Sequence, residues 1–323
     1  MLTVEHHITP PADFLSNEAE GYAFYKAFQD SAIENFELGY LVVKRGQKRV
    51  AVVPYFVTNY YVNTTLENGW LKRLLGWLWF RVACVGHPVA DFGIIDGEIS
   101  EEVLQAVNIE LFKLAPIVGY NGFGEGLPLR GFSREPSLPV AALEIKGDFY
   151  SGLSGSTRRD FRRRLRKARA VRIEECDTYP KQLAKRIYEL YLETFKHAEM
   201  TFERLTPQLF ENMASVGKYV LYWENETLIG FSLLICKDKS MLAKYMGMDY
   251  SRSRKYGLYH AMILNHIEIC VRDGYTLYQP GVSTYSFKKR IGSTLIPTYI
   301  YFRHGGPVMN WIFSLLMKTV SYG

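Results

Sequence analysis

The sequence predicts an α/β fold of two related halves, each a mixed, mostly antiparallel sheet flanked by helices. Three observations carry that expectation. The chain has 323 residues, more than the roughly 250 to 300 at which a single core usually stops growing. The order helix, β meander, crossover helix occurs twice along it. Aromatic residues reach 15%, with 23 Tyr and 19 Phe, residue types that pack well on pleated sheets.

In the first half a helix is expected over 18–29, then strands at 40–44 and 50–61 joined by a turn containing Gly46, then a helix over 100–114. In the second half helices are expected over 182–197 and 207–214. Strands follow at 219–223, 228–236 and 241–246, then a helix over 259–272 and the strand "YTLYQPG". Meanders give antiparallel pairs, and a crossover helix adds a parallel strand. The expected organisation is therefore a domain over 1–150, a connecting helix over 151–175 and a second domain over 176–323. "GYNGFGEG" (119–126) follows no clear strand and opens no helix, so it reads as a loop.

The connecting segment "STRRDFRRRLRKARAVRI" (156–173) holds nine Arg and Lys against one acid. The chain's net charge is +6, so everything outside this stretch sums to −2. A protein that coats nucleic acid spreads its excess more widely. Thr157 and Asp160 fit a capping box, and Phe161, Leu165 and Ala168 form one apolar stripe. The segment therefore reads as a docked helix with an Arg-covered outer side. Its cations repel one another, which favours an anionic partner for Arg158, Arg159, Arg162 and Arg163: a phosphate, a carboxylate or RNA.

Cys84, Cys176, Cys236 and Cys270 lie far apart and form no CxxC pair, as expected of reduced thiols in the cytoplasm. The seven histidines lack ligand spacing, so no metal is expected. The opening "MLTVEHHITPPADF" has no basic region followed by an apolar one, so export is not expected. "WLKRLLGWLWF" (70–80) and "VMNWIFSLLMKTVSY" (308–322) are shorter than the roughly 20 apolar residues that cross a bilayer. They read as helices packed on their own domain, with peripheral membrane contact as the alternative.

The segment 245–292 has the order strand "YMGMDY", basic turn "SRSRKYG", helix "LYHAMILNHIEICVRDG", strand "YTLYQPGV", helix "STYSFKKRIGS". This resembles the second half of a GNAT acyltransferase domain. With "CVGHPVADFGII", "LSGSTRRDFRRRLRKA" and "STYSFKKRIGSTLIP" included, the chain resembles the FemAB and BioF2-like group of tandem GNAT-fold transferases from about residue 35 to 302. The resemblance implies an acyl donor, acyl-CoA or aminoacyl-tRNA, held by the second domain, and an amine acceptor, a small molecule or a peptide, held by the first.

In that reading Arg252, Arg254, Lys255, Tyr256 and Gly257 hold the donor's pyrophosphate. One glycine stands where a standard acetyl-CoA loop has several, and the cations offset the missing amides. Lys288 stands where the resemblance places a catalytic acid. It and Asp249, a base or hydrogen-bond acceptor for the amine, are the expected catalytic groups, with Tyr285 beside them. His87, Asp91 and Tyr245 line the acceptor side. N-acyl transfer from acyl-CoA is the expected function. An aminoacyl-tRNA-dependent peptide-bond former, with tRNA on the basic helix, is the alternative, and a non-catalytic protein binding an anionic membrane or RNA is the second.

Overall fold

Along strand β2 (Glu37–Arg45), Tyr40 and Val42 face one core while Leu41 and Val43 face another. The first sheet is thus covered on both faces. The computed structural model describes residues 1–61, 77, 79–147, 149–198, 203–282 and 284–312. Besides β2, the first half contains β1 (Leu2–His7), α1 (Tyr22–Gln29), β3 (Lys48–Tyr61), β4 (Trp79–Val85), β5 (Asp96–Gly97), α2 (Glu101–Leu114), β6 (Ile117–Phe123), β7 (Ser133–Pro136) and β8 (Val140–Glu144). The connecting helix is α3 (Gly155–Lys167). It is followed by β9 (Val171–Cys176), α4 (Ala184–His197), α5 (Pro207–Asn212), β10 (Gly217–Glu224), β11 (Thr227–Lys237) and β12 (Ser240–Met248). The remaining elements are α6 (Tyr250–Tyr256), α7 (Leu258–Asp273), β13 (Leu277–Gln279), α8 (Tyr285–Arg290), β14 (Thr294–Ile296) and β15 (Tyr299–His304).

The two halves repeat one plan. In the first, β2, β3 and β4 form an antiparallel meander, α2 crosses over, and β6 lies parallel to β4 from Val82↔Ile117 to Val85↔Tyr120. In the second, β10, β11 and β12 form the meander, α7 crosses over, and β13 lies parallel to β12. Each crossover helix has a reason to form where it does. Ser100 caps α2 by accepting from the Val103 N–H at 3.4 Å, Glu101 and Glu102 meet its positive end, and Val103, Leu104, Val107 and Leu111 make its buried stripe.

The sheets do not follow the expected division at residues 150 and 176. The first runs β1-β2-β3-β4-β6-β15-β7 and the second β14-β8-β13-β12-β11-β10-β9. Strand β8 leaves the first half to pair with β13 (Tyr278↔Leu143), and β15 returns to pair with β6 (Tyr301↔Tyr120). Each half completes the other's sheet because each parallel pair leaves one open edge, which must be covered. A shared core of Phe14, Phe24, Tyr25 and Tyr40 with Leu190, Tyr191, Phe210 and Phe231 then fuses the halves.

Several local expectations shift. "GYNGFGEG" is not all loop: residues 119–123 belong to β6, whose pairing with β4 lies far away in sequence. The capping of α3 starts one turn earlier than Thr157, with Ser154 Oγ accepting from the Thr157 N–H at 3.2 Å. In the stretch 70–80, residues 70–76 and 78 lie outside the described residues, while Trp79 and Phe80 are strand, paired with Tyr61 and Tyr60. Residues 307–312 are helical, and the rest of 308–322 also lies outside the described residues.

Candidate active site between the two sheets

Strand β12 pairs with β13 only over Ser240–Leu242, then runs on alone to Met248. Along its other edge the register with β11 slips: Leu234 faces Ala243 and Leu233 faces Tyr245, so Lys244 is an extra residue. This bulge resets the alternation. Leu242 and Tyr245 face the shared core, Ala243 and Met246 the opposite one. It also leaves the Lys244 ammonium inside the protein, among groups from the first half.

Lys244 Nζ donates to Glu20 Oε1 at 2.5 Å, to Asp91 Oδ1 at 3.3 Å and to the Val89 carbonyl, and lies 5.2 Å from the Phe24 ring centre. Its side chain is 3% exposed, so the charge survives only because it is paired. Burial works against the ammonium, but Asp91 and Glu20 outweigh it and hold its pKa above the ordinary value. Burial pushes the Glu20 carboxyl up against the pull of Lys244.

The loop that carries Asp91 is fixed by close backbone approach. A Cβ at Gly93 would sit 2.4 Å from the Asn121 carbonyl oxygen, and Gly93 N–H donates to Gly122 O at 3.0 Å. In the same loop His87 is buried among Phe24, Tyr25 and Phe28, at ring distances of 4.8, 4.5 and 4.5 Å. The Val89 N–H donates to His87 Nδ1 at 3.2 Å, which puts the proton of a neutral ring on Nε2. Burial, helped by the Lys244 charge, keeps His87 well below its ordinary pKa.

On the other side stands α8. Lys288 is buried, and its ammonium donates to the Gly281 and Val282 carbonyls at 2.9 and 3.1 Å, with the Tyr285 ring centre 6.0 Å away. Burial lowers its pKa to about 8, with Asp91 pulling the other way. The expected residues Lys288, Tyr285, Asp91, His87 and Tyr245 therefore meet around the β12 bulge. The Tyr285 hydroxyl itself donates to the Pro139 carbonyl at 3.0 Å. Among the described residues, three buried polar atoms here have no protein partner: His87 Nε2, Asp91 Oδ2 and the Tyr245 hydroxyl. A cavity of about 250 Å³ reaches Glu20 and Asp91 and is also lined by Glu18, Asp238, Ser240 and Gln279. A larger hollow of about 530 Å³, between α2 and Arg303, lies away from this chemistry.

Other expected site residues stand apart. The "SRSRKYG" segment, expected as a turn, is helix α6, capped by Asp249 and ended by Gly257 at φ 61°, a conformation that suits glycine. Arg252 and Lys255 each donate to Glu224 at 2.7 Å, and the Tyr256 hydroxyl bonds the same carboxylate. Arg252 and Lys255 thus share one carboxylate at the surface, and Lys255 and Arg254 both face solvent. Asp249 accepts from the Arg252 N–H at 3.2 Å and from Arg186 at 3.1 Å. Burial alone would raise its pKa, but bonds from Ser251, Arg252 and Arg186 hold it below the ordinary value, which makes it a poor base.

Helix α3 is docked, as its stripe suggested. Phe161 is buried and lies 5.9 Å from Phe287 of α8. Asp160 binds Arg163 at 2.8 Å, Arg164 at 2.9 Å and Arg290 of α8 at 2.8 Å. Arg163 is thus partly neutralised, Arg158 is half-buried, and Arg159 and Arg162 share an exposed face with Arg166. Lys167 donates to the Arg254 carbonyl at 2.8 Å, which brings the basic helix beside the α6–α7 junction.

Glu20, Lys244 and Glu203 were not singled out from sequence. Burial pushes Glu203 up to about 7, against the pull of Lys244. The signal for Lys244 was present, a lone cation inside the apolar run "MLAKYMGM". Nothing in sequence ties Glu20 to it.

Residues 155–289 match the family model described as acetyltransferase (GNAT) domain. No curated protein matches the chain. Among solved structures, FemX is similar at 11% identity, with 95% of this chain and 96% of that one covered and a TM-score of 0.57. A tandem GNAT protein from the clavulanic acid biosynthesis pathway is similar at 9% identity, 95% and 99% coverage and a TM-score of 0.57. L-PGS from Bacillus licheniformis is similar at 11% identity, 93% and 96% coverage and a TM-score of 0.54. At such identities the likeness is one of fold. The chain has a tandem GNAT fold, and its residues 155–289 match the GNAT domain model.

Proposed function

We propose that the protein is an N-acyltransferase that moves an acyl group from a thioester, acyl-CoA in the first instance, to a cationic amine. The observation that carries this reading is the meeting of Lys288, whose pKa is lowered to about 8, with Asp91, His87 and Tyr245 at the β12 bulge. An acid poised near neutrality is what collapse of a tetrahedral intermediate needs.

In this reading the amine enters by the cavity that reaches Asp91, whose Oδ2 has no partner among the described residues and can accept from it. Its uncharged form attacks the thioester carbonyl, forming the C–N bond. Backbone N–H groups of the unpaired part of β12 and the Lys288 ammonium stabilise the oxyanion. As the C–S bond breaks, its electron pair goes to sulfur, Lys288 gives sulfur a proton, and the resulting amine takes one from nitrogen. Asp249, bound to Arg186, has no part in it.

The exposed Arg159, Arg162 and Arg166 favour a second reading in which the donor is aminoacyl-tRNA held along α3. Purified protein offered CoA thioesters and aminoacyl-tRNA with a panel of polyamines, amino sugars and peptides separates the two. Thiol release with amine consumption supports acyl-CoA, and RNase-sensitive transfer supports tRNA. Failure of both donors overturns the transferase reading in favour of a binding protein.

A further inference from the structure

Beneath the second sheet a row of polar side chains crosses an otherwise apolar core. The Tyr222 hydroxyl of β10 donates to Asn265 Oδ1 of α7 at 2.9 Å, and the Ser232 hydroxyl of β11 bonds the Tyr222 oxygen. His266 of α7 lies 2.9 Å from Ser232 Oγ through Nε2 and 2.8 Å from the Tyr278 hydroxyl of β13 through Nδ1. Tyr222 gives its one proton to Asn265, so Ser232 gives its own to Tyr222, His266 donates from Nε2, and Tyr278 donates to Nδ1. All the bonds therefore run one way. The row ends on an amide, which takes up no proton, so it ties elements together rather than carrying protons. Ser232, His266 and Tyr278 are fully buried, and burial keeps the imidazole neutral, with its pKa lowered to about 3. An apolar set of the same shape would pack here at little cost in stability. What the polar row adds is a fixed place for its members.

We infer that His266 is a positioning residue for Lys288, acting through Tyr278 and the strand that carries it. Strand β13 has three residues, of which Tyr278 points into the core on the α7 side, while Leu277 and Gln279 line the cavity that reaches Asp91. Three and four residues beyond Tyr278 stand the Gly281 and Val282 carbonyls, which accept from the Lys288 ammonium. At Gly281 the chain also closes on β12. A Cβ there would sit 3.3 Å from the Ala243 carbonyl oxygen, beside the Lys244 bulge. Pairing of Tyr278 with Met241 and Leu143 sets the register of β13 in the sheet, and the bond to His266 sets its depth against α7. With β13 held at that depth, Lys288 stays buried and both carbonyls stay within its reach. The inference rests on the reading of Lys288 as the acid of the transfer.

Acetic anhydride labelling of Lys288 across pH, read by peptide mass spectrometry, tests this in the full chain and in the variant Ser232→Ala plus His266→Leu plus Tyr278→Phe. In the native protein labelling should reach half its limit at about pH 8. In the variant the melting temperature should change little, while the midpoint rises to roughly 9 or higher, toward the ordinary 10.5, as water reaches the ammonium. Should the triple variant not fold, Tyr278→Phe alone, which removes one oxygen, carries the same measurement. A midpoint that stays or falls in a folded variant, or a native midpoint already at the ordinary value, overturns the inference and leaves the row a packing device. Labelling needs neither donor nor acceptor, so a midpoint that moves as expected supports the inference even where no transfer is found, and the missing transfer then counts against the transferase reading alone.

Discussion

Lys244 of the second sheet and Glu20, in the turn before the first helix, form a buried ion pair at 2.5 Å that closes the seam between the two halves. Removing one partner leaves a charge without water or counter-charge. Lys244→Met is expected to destabilise the protein by about 3 to 5 kcal/mol, and adding Glu20→Gln should recover part of that loss. Urea unfolding of the two single variants and the double one measures the coupling. Additive losses would mean that the two charges do not depend on each other.

Lys288 gives both a kinetic and a stability signature. Lys288→Met should lower kcat by about 10²- to 10⁴-fold. In the native protein the rate should fall as pH rises through about 8, where the ammonium is lost. Between pH 8 and the ordinary lysine value of 10.5 the unfolded chain holds a proton that the folded one has released. Stability should therefore rise with pH across that window, and the rise should be missing in Lys288→Met. Urea titrations at pH 7 and 9.5 check this.

His87 fits its aromatic cage better by shape than by polarity, since Nε2 has no protein partner among the described residues. His87→Phe is expected to cost about 1 to 2 kcal/mol, because it keeps the packing and removes the unpaired Nε2 donor but leaves the Val89 N–H without its Nδ1 acceptor. If that donor points to the acceptor, KM for the amine should rise while kcat for saturating amine changes less. Unchanged kinetics would assign the histidine to packing.

Asp160 joins three arginines and ties α3 to α8. Bonds first from Arg163, then from Arg164, hold its pKa well below the ordinary 3.8. This contribution is present above about pH 4 and is lost as acid protonates the carboxylate. Asp160→Asn should cost about 1 kcal/mol at pH 7, with the gap between the variant and the parent closing at low pH. Thermal unfolding at pH 7 and pH 3 reads it.

The repeated meander and the crossover helices were legible because they rest on local periodicity, as in Val103, Leu104, Val107 and Leu111 of α2. The docking of α3 was legible from Phe161 for the same reason. Contacts between halves were not: Glu20 and Lys244 are 224 residues apart, and no spacing rule spans that distance. The "SRSRKYG" segment was misread because its helix depends on Glu224, at the end of another strand, which gathers Arg252 and Lys255. Strand β1 and the return of β15 also depend on partners far away in sequence.

The exchange of β8 and β15 governs the order in which the protein can be made. The first sheet lacks the strand beside β6 until residue 304 has left the ribosome, although its other strands are complete by residue 136. During most of synthesis the nascent chain must carry an open β6 edge, the kind of edge that recruits stray strands. Cutting the gene at the midpoint should therefore give two insoluble fragments, and their co-expression should restore a soluble complex.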